Sequence, residues 1–237
     1  IYCAGSVRGR HLDDFHEANV GGIAAMVAEM NQAESNIPLL LVSSLAATRP
    51  EVSNYARSKY LGEQELIQNA QFPWSIFRPP AVYGPGDKEM RPILSLARKG
   101  LVTPAGPKKQ RLSLIHVDDL ASAVAAWLRN WPNCREQIFS LDDGHPGGYT
   151  WREIGEISSG GRYVSVRIPS WILSAAARIN LASARLFGYS PMLTPGKARE
   201  LSQPDWLCDN NALTAATGWS PKIELELGLQ TLFTPAE

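Results

Sequence analysis

The chain has 237 residues, 44% of them apolar, and its 23 cationic side chains are balanced by 23 acidic ones. That length accommodates one large domain or a core with a smaller lobe. A net charge of zero supplies neither the basic field of a nucleic-acid binder nor a uniform patch for anionic membranes. Cys3, Cys134 and Cys208 are too scattered for a disulfide scaffold or a zinc site, and suit a reducing, cytoplasmic compartment. His11, His16, His116 and His145 show no metal-type spacing. No run reaches the ~20 apolar residues of a membrane span; the nearest, Trp171 to Phe187, is interrupted by Arg178 and Arg185.

In chain order, the first expected element is a short buried strand, Ile1-Tyr-Cys3-Ala4, turned by Gly5. Nothing ahead of it reads as an initiator methionine or a leader, so the opening is expected to be an internal position of a longer natural chain. Phe15, Val20, Ile23, Met26, Val27 and Met30 recur near helical spacing over residues 13–34. Asp13 or Asp14 is the expected cap of that helix. Asn19-Val20-Gly21-Gly22 lies within it. Two interior glycines are unfavourable and point to close packing against a neighbour or close approach to a ligand.

Residues 37–42 are apolar throughout and predict a strand ending in Ser43-Ser44. A helix carrying Tyr55-Ala-Arg-Ser-Lys59 runs to about Asn69, and residues 72–77 form another strand. That strand ends in Arg78-Pro79-Pro80-Ala81-Val82-Tyr83-Gly84-Pro85-Gly86-Asp87, where three prolines and two glycines predict a fixed loop. Continuous apolar strands alternating with helices indicate an α/β protein with a parallel sheet covered on both faces. Such sheets bind ligands at the carboxyl ends of their strands.

Beyond the loop, a helix is expected over residues 90–99, then a solvated stretch with Gly106-Pro107-Lys108-Lys109, then a strand over 112–116. Asp118 and Asp119 open a helix over 117–130, where the helix dipole favours them as caps. A strand over 137–141 leads to the turn-rich Asp142-Asp143-Gly144-His145-Pro146-Gly147-Gly148, the expected domain boundary. Thr150-Trp-Arg-Glu153 is a capping-box pattern. A strand over 164–168 and an amphipathic helix over 169–187 follow; the helix's apolar stripe is core, or flanks a hydrophobic substrate or a partner. Helices over 194–201, 209–218 and 224–233 complete the chain.

Residues four apart on a helix share a face, so Tyr55 and Lys59 point the same way, and Ser44 at its strand's end is placed to meet them. A free phenol has a pKa of about 10, and a nearby ammonium lowers it toward the working pH. A phenol, an ammonium and a hydroxyl in one cleft are what reversible hydride chemistry on an alcohol requires. Alone, a Tyr-x-x-x-Lys pair is a weak signal.

Taken together, these segments resemble the extended short-chain dehydrogenases/reductases, the NAD-dependent epimerase/dehydratase family, over nearly the whole chain. Ile1-Tyr-Cys-Ala-Gly5 is similar to the family's fourth core strand. Phe15 with Asn19-Val20-Gly21-Gly22 is similar to the next helix, and Val42-Ser43-Ser44 to the catalytic serine strand. Tyr55-Ala-Arg-Ser-Lys59 with Gly62-Glu63 is similar to the active-site helix. Arg78-Pro79 to Gly86-Asp87 is the most specific match. Leu114-Ile-His-Val-Asp-Asp-Leu120, and Trp206 to Pro221 with Gly218-Trp219, follow in the family's order.

The resemblance implies a Rossmann-like doubly wound parallel sheet. It places its cofactor core in residues 1–148, with an excursion to the substrate lobe near 85–110, and a smaller substrate lobe in 149–237. It implies Ser44 (with Ser43 as the other candidate), Tyr55, Lys59 and Asn19 as catalytic residues. Cys3, Ala4, Gly5, Tyr55, Lys59, Pro79, Ala81 and Val82 would hold NAD or NADP, while Ser44, Tyr83 and Arg111 would contact a small-molecule substrate. A homodimer through the Asp13 and Tyr55 helices is part of the same analogy.

The family's glycine-rich phosphate loop between the first strand and helix does not occur here. Two βαβ units of about 30 residues each would precede the fourth strand, so roughly 60 residues are expected upstream, holding that loop.

The leading expectation is an oxidoreductase on a secondary alcohol or ketone. A nucleotide-sugar epimerase or dehydratase is the alternative. Arg111 before His-Val-Asp favours it as a phosphate contact, and Leu45-Ala46 in place of an Asp-Glu pair counts against a dehydratase. A non-catalytic dinucleotide sensor is the third reading.

Overall fold

The computed structural model describes residues 1–233. Helix α1 (Asp13–His16) runs through a π turn, Glu17–Gly21, into α2 (Gly22–Gln32). Strand β1 (Leu39–Val42), a 3-10 turn at Leu45–Thr48, α3 (Asn54–Asn69), β2 (Trp74–Arg78) and β3 (Ala81–Tyr83) follow. Next come α4 (Arg91–Arg98), β4 (Leu101–Val102), β5 (Arg111–Leu112), β6 (Leu114–His116), α5 (Val117–Asn130) and β7 (Gln137–Ser140). The remainder is β8 (Tyr149–Thr150), α6 (Trp151–Ser159), β9 (Val164–Ser165), α7 (Ser170–Phe187), α8 (Pro195–Leu201), β10 (Asp205–Trp206), α9 (Asn211–Thr217) and α10 (Leu225–Phe233).

The chain divides into two compact units. The first holds Ile1–Arg78, Cys134–Phe139 and Ser170–Ser202. The second holds Pro79–Asn133, Ser140–Pro169 and the chain from Gln203 onward. This division is one of compactness; the division expected near Gly148 is one of role.

In the first unit, β1 pairs in parallel with β2, Leu39 opposite Trp74 and Val42 opposite Phe77, in a sheet ordered β1-β2-β7. Leu39, Leu41, Trp74 and Ile76 pack with Ile23 and Val27 of α2 and Leu66 of α3. Each such side chain contributes about 1.5–3 kcal/mol by leaving water. The expected first strand is reduced to one parallel bridge, Tyr2 to Leu41. The Tyr2 amide donates to Leu40 O (2.7 Å) and Tyr2 O accepts from Val42 N (2.9 Å).

The two glycines expected to mark close packing do so at Gly22, where a Cβ would stand 2.0 Å from the Tyr2 hydroxyl oxygen. Gly62 plays the same part on α3, where a Cβ would meet Asn19 O at 2.2 Å. Asp13 and Asp14 do not cap α1: its N-cap position is Leu12, and the Asp14 carboxylate instead accepts from the Arg10 and His11 amides.

In the second unit, the stretch expected to be a fixed loop after Arg78 contains β3, paired in parallel with β6, Ala81 opposite Leu114. Tyr83, Leu94, Leu114, Tyr149, Ile154, Leu225 and Leu232 form its core. The expected strand over 112–116 is two strands flanking Ser113, whose hydroxyl donates to the buried Asp142 (2.8 Å). Asp119 is no helix cap either. It is buried, and its Oδ2 accepts from Lys222 N (2.9 Å) and Ile223 N (2.8 Å). The ring of His116 caps α5 instead, its Nδ1 accepting from Asp118 N. The capping box at Thr150 and Glu153 forms as the spacing predicts.

Candidate active site

The first unit brings three expected residues to one point. Gly5 ends the stretch after the Tyr2 bridge, and a Cβ there would stand 2.7 Å from Asn19 Oδ1 and 3.1 Å from Lys59 Nζ. Asn19 reaches it from the π turn, a local insertion that often marks functional sites. Its amide clasps the chain just past Gly5: Oδ1 accepts from Ser6 N (2.9 Å), and Nδ2 donates to Ser6 O (3.0 Å) and Ser58 Oγ (2.8 Å). The side chain of Asn19 is therefore committed to holding the backbone at Ser6 and the Ser58 hydroxyl.

Lys59 arrives from α3, whose start is capped by Ser53 Oγ accepting from Ala56 N (3.0 Å). The Ser53 hydroxyl also donates to Glu200 of α8. Lys59 is 9% exposed and its ammonium approaches Val42 O at 3.4 Å. Burial pulls its pKa below the ordinary lysine value, with Glu63 and then Cys3 opposing. Tyr55, one turn earlier on the same helix face, is half-buried, its ring edge-on to Phe15 of α1 at 6.3 Å.

The two serines that end β1 separate cleanly. Ser43 is 5% exposed and its hydroxyl donates to Glu63 Oε1 at 2.5 Å. Glu63 also receives Arg78 in a two-pronged pair, Nε at 2.9 Å and Nη2 at 2.5 Å. Ser44 is half-buried, and its Oγ accepts from Ala46 N at 3.2 Å at the head of the 3-10 turn. The Ser44 hydroxyl oxygen thus takes one backbone donor, whereas the Ser43 hydroxyl is committed to Glu63. Of the two, Ser44 is the more exposed.

Cys3 and Ala4 lie in the first unit beside Gly5, and Pro79, Ala81, Val82, Tyr83 and Arg111 belong to the second unit. Pro79 is buried, while Ala81 and Val82 are half-buried on β3. Tyr83 is placed inside the core, wholly buried, edge-on to His116 and over Gly228. That position does not present it to a substrate as expected. Arg111 is exposed on β5 and its Nη1 donates to Gly147 O at 3.0 Å.

Sequence reasoning missed the Ser43–Glu63–Arg78 network. The signal was present as a glutamate four residues after Lys59 on an apolar helix face, which only a buried cation could justify.

A model of the NAD dependent epimerase/dehydratase family matches residues 6–139. The chain belongs to that family. It is 36% identical over 213 residues to the ceramide reductase of Caulobacter vibrioides (strain NA1000 / CB15N), an alignment covering 87% of this chain and 64% of that protein. The chain thus spans under two thirds of that relative's length.

Among solved structures, Pal from Bacillus thuringiensis superposes with a TM-score of 0.70 at 17% identity, over 97% of this chain and 72% of that one. The UDP-glucuronic acid 4-epimerase from Bacillus cereus, in complex with NAD, gives 0.68 at 13% identity, over 98% and 70%. At such identities the likeness is one of fold: a mixed α/β, Rossmann-like architecture with parallel sheets, as expected.

The family is NAD dependent, and the exposed backbone near Gly5 is where residues of this unit could approach such a cofactor. The backbone at Gly5 is bare where a Cβ would collide with Asn19 and Lys59, Cys3 to Gly5 is exposed, and a buried ammonium lies beside it. No group of three metal-capable side chains occurs among the described residues, and no helix among them is long and apolar enough to cross a membrane.

Proposed function

We propose that this chain carries the nicotinamide-facing and substrate-facing residues of an NAD(P)-dependent oxidoreductase that interconverts a secondary alcohol and a ketone. The observation that carries the reading is the placement of Lys59. Its buried ammonium lies between the strand end at Gly5 and the strand end before Ser44, one helical turn from Tyr55.

In this reading the Tyr55 hydroxyl gives a proton to the substrate oxygen or takes it back. The positive charge of Lys59 favours the phenolate, so that the proton can be exchanged closer to neutral pH. Ser44 holds the substrate oxygen through its hydroxyl proton. Asn19 keeps the Gly5–Ser6 backbone in register with Lys59. Cys3, Ala4, Gly5 and Lys59 would hold the nicotinamide ribose and ring. A bound nicotinamide supplies or accepts the hydride.

For the substrate class we favour a ketone on a long-chain lipid amide. The relative at 36% identity is named a ceramide reductase. The residues after Ser44, Leu45-Ala46-Ala47, are apolar and buried where a dehydratase would carry acids.

With full-length protein and reduced cofactor, turnover read as loss of nicotinamide absorbance should vanish in Tyr55→Phe, with cofactor binding retained. Undiminished turnover in that variant overturns the role of Tyr55. The nucleotide-sugar epimerase reading keeps one specific support, the exposed guanidinium of Arg111 on β5. Release of a tightly held dinucleotide on denaturation would favour it.

A further inference from the structure

The zero net charge of the chain conceals a strong local asymmetry. Residues 157–199 carry six cationic side chains and no carboxylate. Helix α7 lies within this stretch, and its 18 residues extend about 27 Å. Leu173, Ala177 and Ala184 bury one side of it in the first unit.

Its outer side is apolar too. Trp171, Ala175, Ile179, Ala182 and Leu186 follow one another at spacings of four, four, three and four, which is one continuous row along a helix. Trp171 is 71% exposed, Ile179 68%, Leu186 78% and the adjacent Phe187 75%. Arg178 and Arg185, seven apart, edge this row on one flank, both exposed. An aromatic ring stands at each end of the helix.

Two occupants compete for such a face. A second copy of α7 would bring Arg178, near the helix midpoint, toward its own counterpart, with no carboxylate on either helix to answer it. An anionic lipid surface answers both features at once. The apolar row sinks into the acyl boundary, and the two guanidiniums reach the phosphates along the rim. We propose that α7 docks this protein on the surface of an anionic membrane, lying in the interface without crossing it. This docking depends on α7 alone and not on the reaction assigned above.

The test is co-sedimentation of full-length protein with vesicles of mixed phosphatidylglycerol and phosphatidylcholine, against pure phosphatidylcholine. Binding to the anionic vesicles is expected, weakening as salt rises. Ile179→Glu with Leu186→Glu should cut it at least about tenfold, because two charges replace apolar side chains in the row that would enter the acyl boundary. Both positions are exposed, so circular dichroism should match the parent. Arg178→Glu with Arg185→Glu should remove the salt-sensitive part.

Leu128→Glu, an exposed apolar position on α5, should bind like the parent, and so should Tyr55→Phe. A parent that stays in the supernatant overturns the proposal, as does equal loss in the Leu128 variant. A dimer that Ile179→Glu dissolves, with no vesicle uptake, assigns the face to a second copy instead. Reduction of a short, water-soluble ketone without vesicles reports on the active site separately, so the two readings fail independently.

Discussion

Lys59 and Glu63 stand one turn apart on α3. Both are buried and they carry opposite charges, yet they are treated in opposite ways. Glu63 is fully buried and takes a hydroxyl from Ser43 and both prongs of Arg78. Lys59 has a carbonyl at the long distance of 3.4 Å and the bare backbone of Gly5, and its burial disfavours the charged form. A buried charge with every partner in place belongs to the scaffold. One held at a strand end with little internal compensation is a cost that a ligand can repay. On the proposed function, the turn that carries Lys59 serves the chemistry and the turn that carries Glu63 keeps it in place.

The largest expected effect tests the first half of that contrast. Lys59→Met should lower turnover of the full-length protein by about 10²–10⁴-fold, the range for losing acid–base support. Its thermal midpoint should not fall, because a partly compensated buried charge has been replaced by an apolar chain of similar length. A fall in midpoint as large as that of Arg78→Ala would erase the distinction between the two turns.

Arg78→Ala tests the second half. The guanidinium is 19% exposed and its partner carboxylate 0%, so its removal leaves Glu63 buried and uncompensated, at a cost of about 3–5 kcal/mol. Urea denaturation should show the loss, and Arg78→Ala combined with Glu63→Gln should recover much of it. Failure of the double variant to recover would mean that Arg78 acts by packing.

Asp143 in the second unit sharpens the comparison, being a buried carboxyl without an arginine. It accepts from the Tyr149 hydroxyl (2.7 Å) and the His145 amide (3.1 Å). Burial outweighs both bonds and pushes its pKa up to about 6. The folded protein therefore holds this proton more tightly than the unfolded chain does. The carboxyl's contribution to stability rises as pH falls through about 6 and is complete once the ordinary carboxylate range is reached. Between pH 7 and pH 4 the gain is on the order of 2 kcal/mol. Asp143→Asn should flatten that part of the stability–pH curve, and an unchanged slope would assign the titration elsewhere.

What the sequence disclosed and what it withheld follow the range of the interactions. Helix α3, the capping box at Thr150 and Glu153 and the glycine at Gly218 that ends α9 with positive φ are written in a few neighbouring residues. Strand β3 was not legible. Its three residues lie between Pro80 and Gly84, and they become a strand only because β6, some thirty residues on, offers a ladder. Asp119 read as a helix cap for the same reason: the amides it serves, at 222 and 223, lie a hundred residues away. Within the candidate site, Tyr55 and Lys59 were visible as a spacing. The preference for Ser44 over Ser43 came from the resemblance, and the bond from Ser43 to Glu63 was not visible in the spacing. Tyr83 was named through the resemblance on a loop expected to be fixed, whereas the paired strand turns it into the core.

The smallest effects come from one substitution made at two glycines on opposite sides of the same packing. Gly62→Ala drives a methyl toward the Asn19 carbonyl, 2.2 Å from the ideal Cβ position. Backbone in a helical turn cannot step aside, so α3 must shift, at a cost of about 1–3 kcal/mol. Because Asn19 clasps Ser6 beside Gly5, the shift should also raise KM for the cofactor. Gly22→Ala meets an even closer atom, the Tyr2 hydroxyl at 2.0 Å. That atom is the tip of a half-buried side chain, free to swing at the loss of one bond to Ala18 O (3.2 Å). The loss is offset by the ~1 kcal/mol that alanine gains over glycine inside a helix. The net change at Gly22 should therefore lie near zero, with KM unmoved. Equal destabilisation at both positions would show that the π turn around Asn19 yields as readily as a tyrosine tip, and the site would then lack the rigid frame assigned to it.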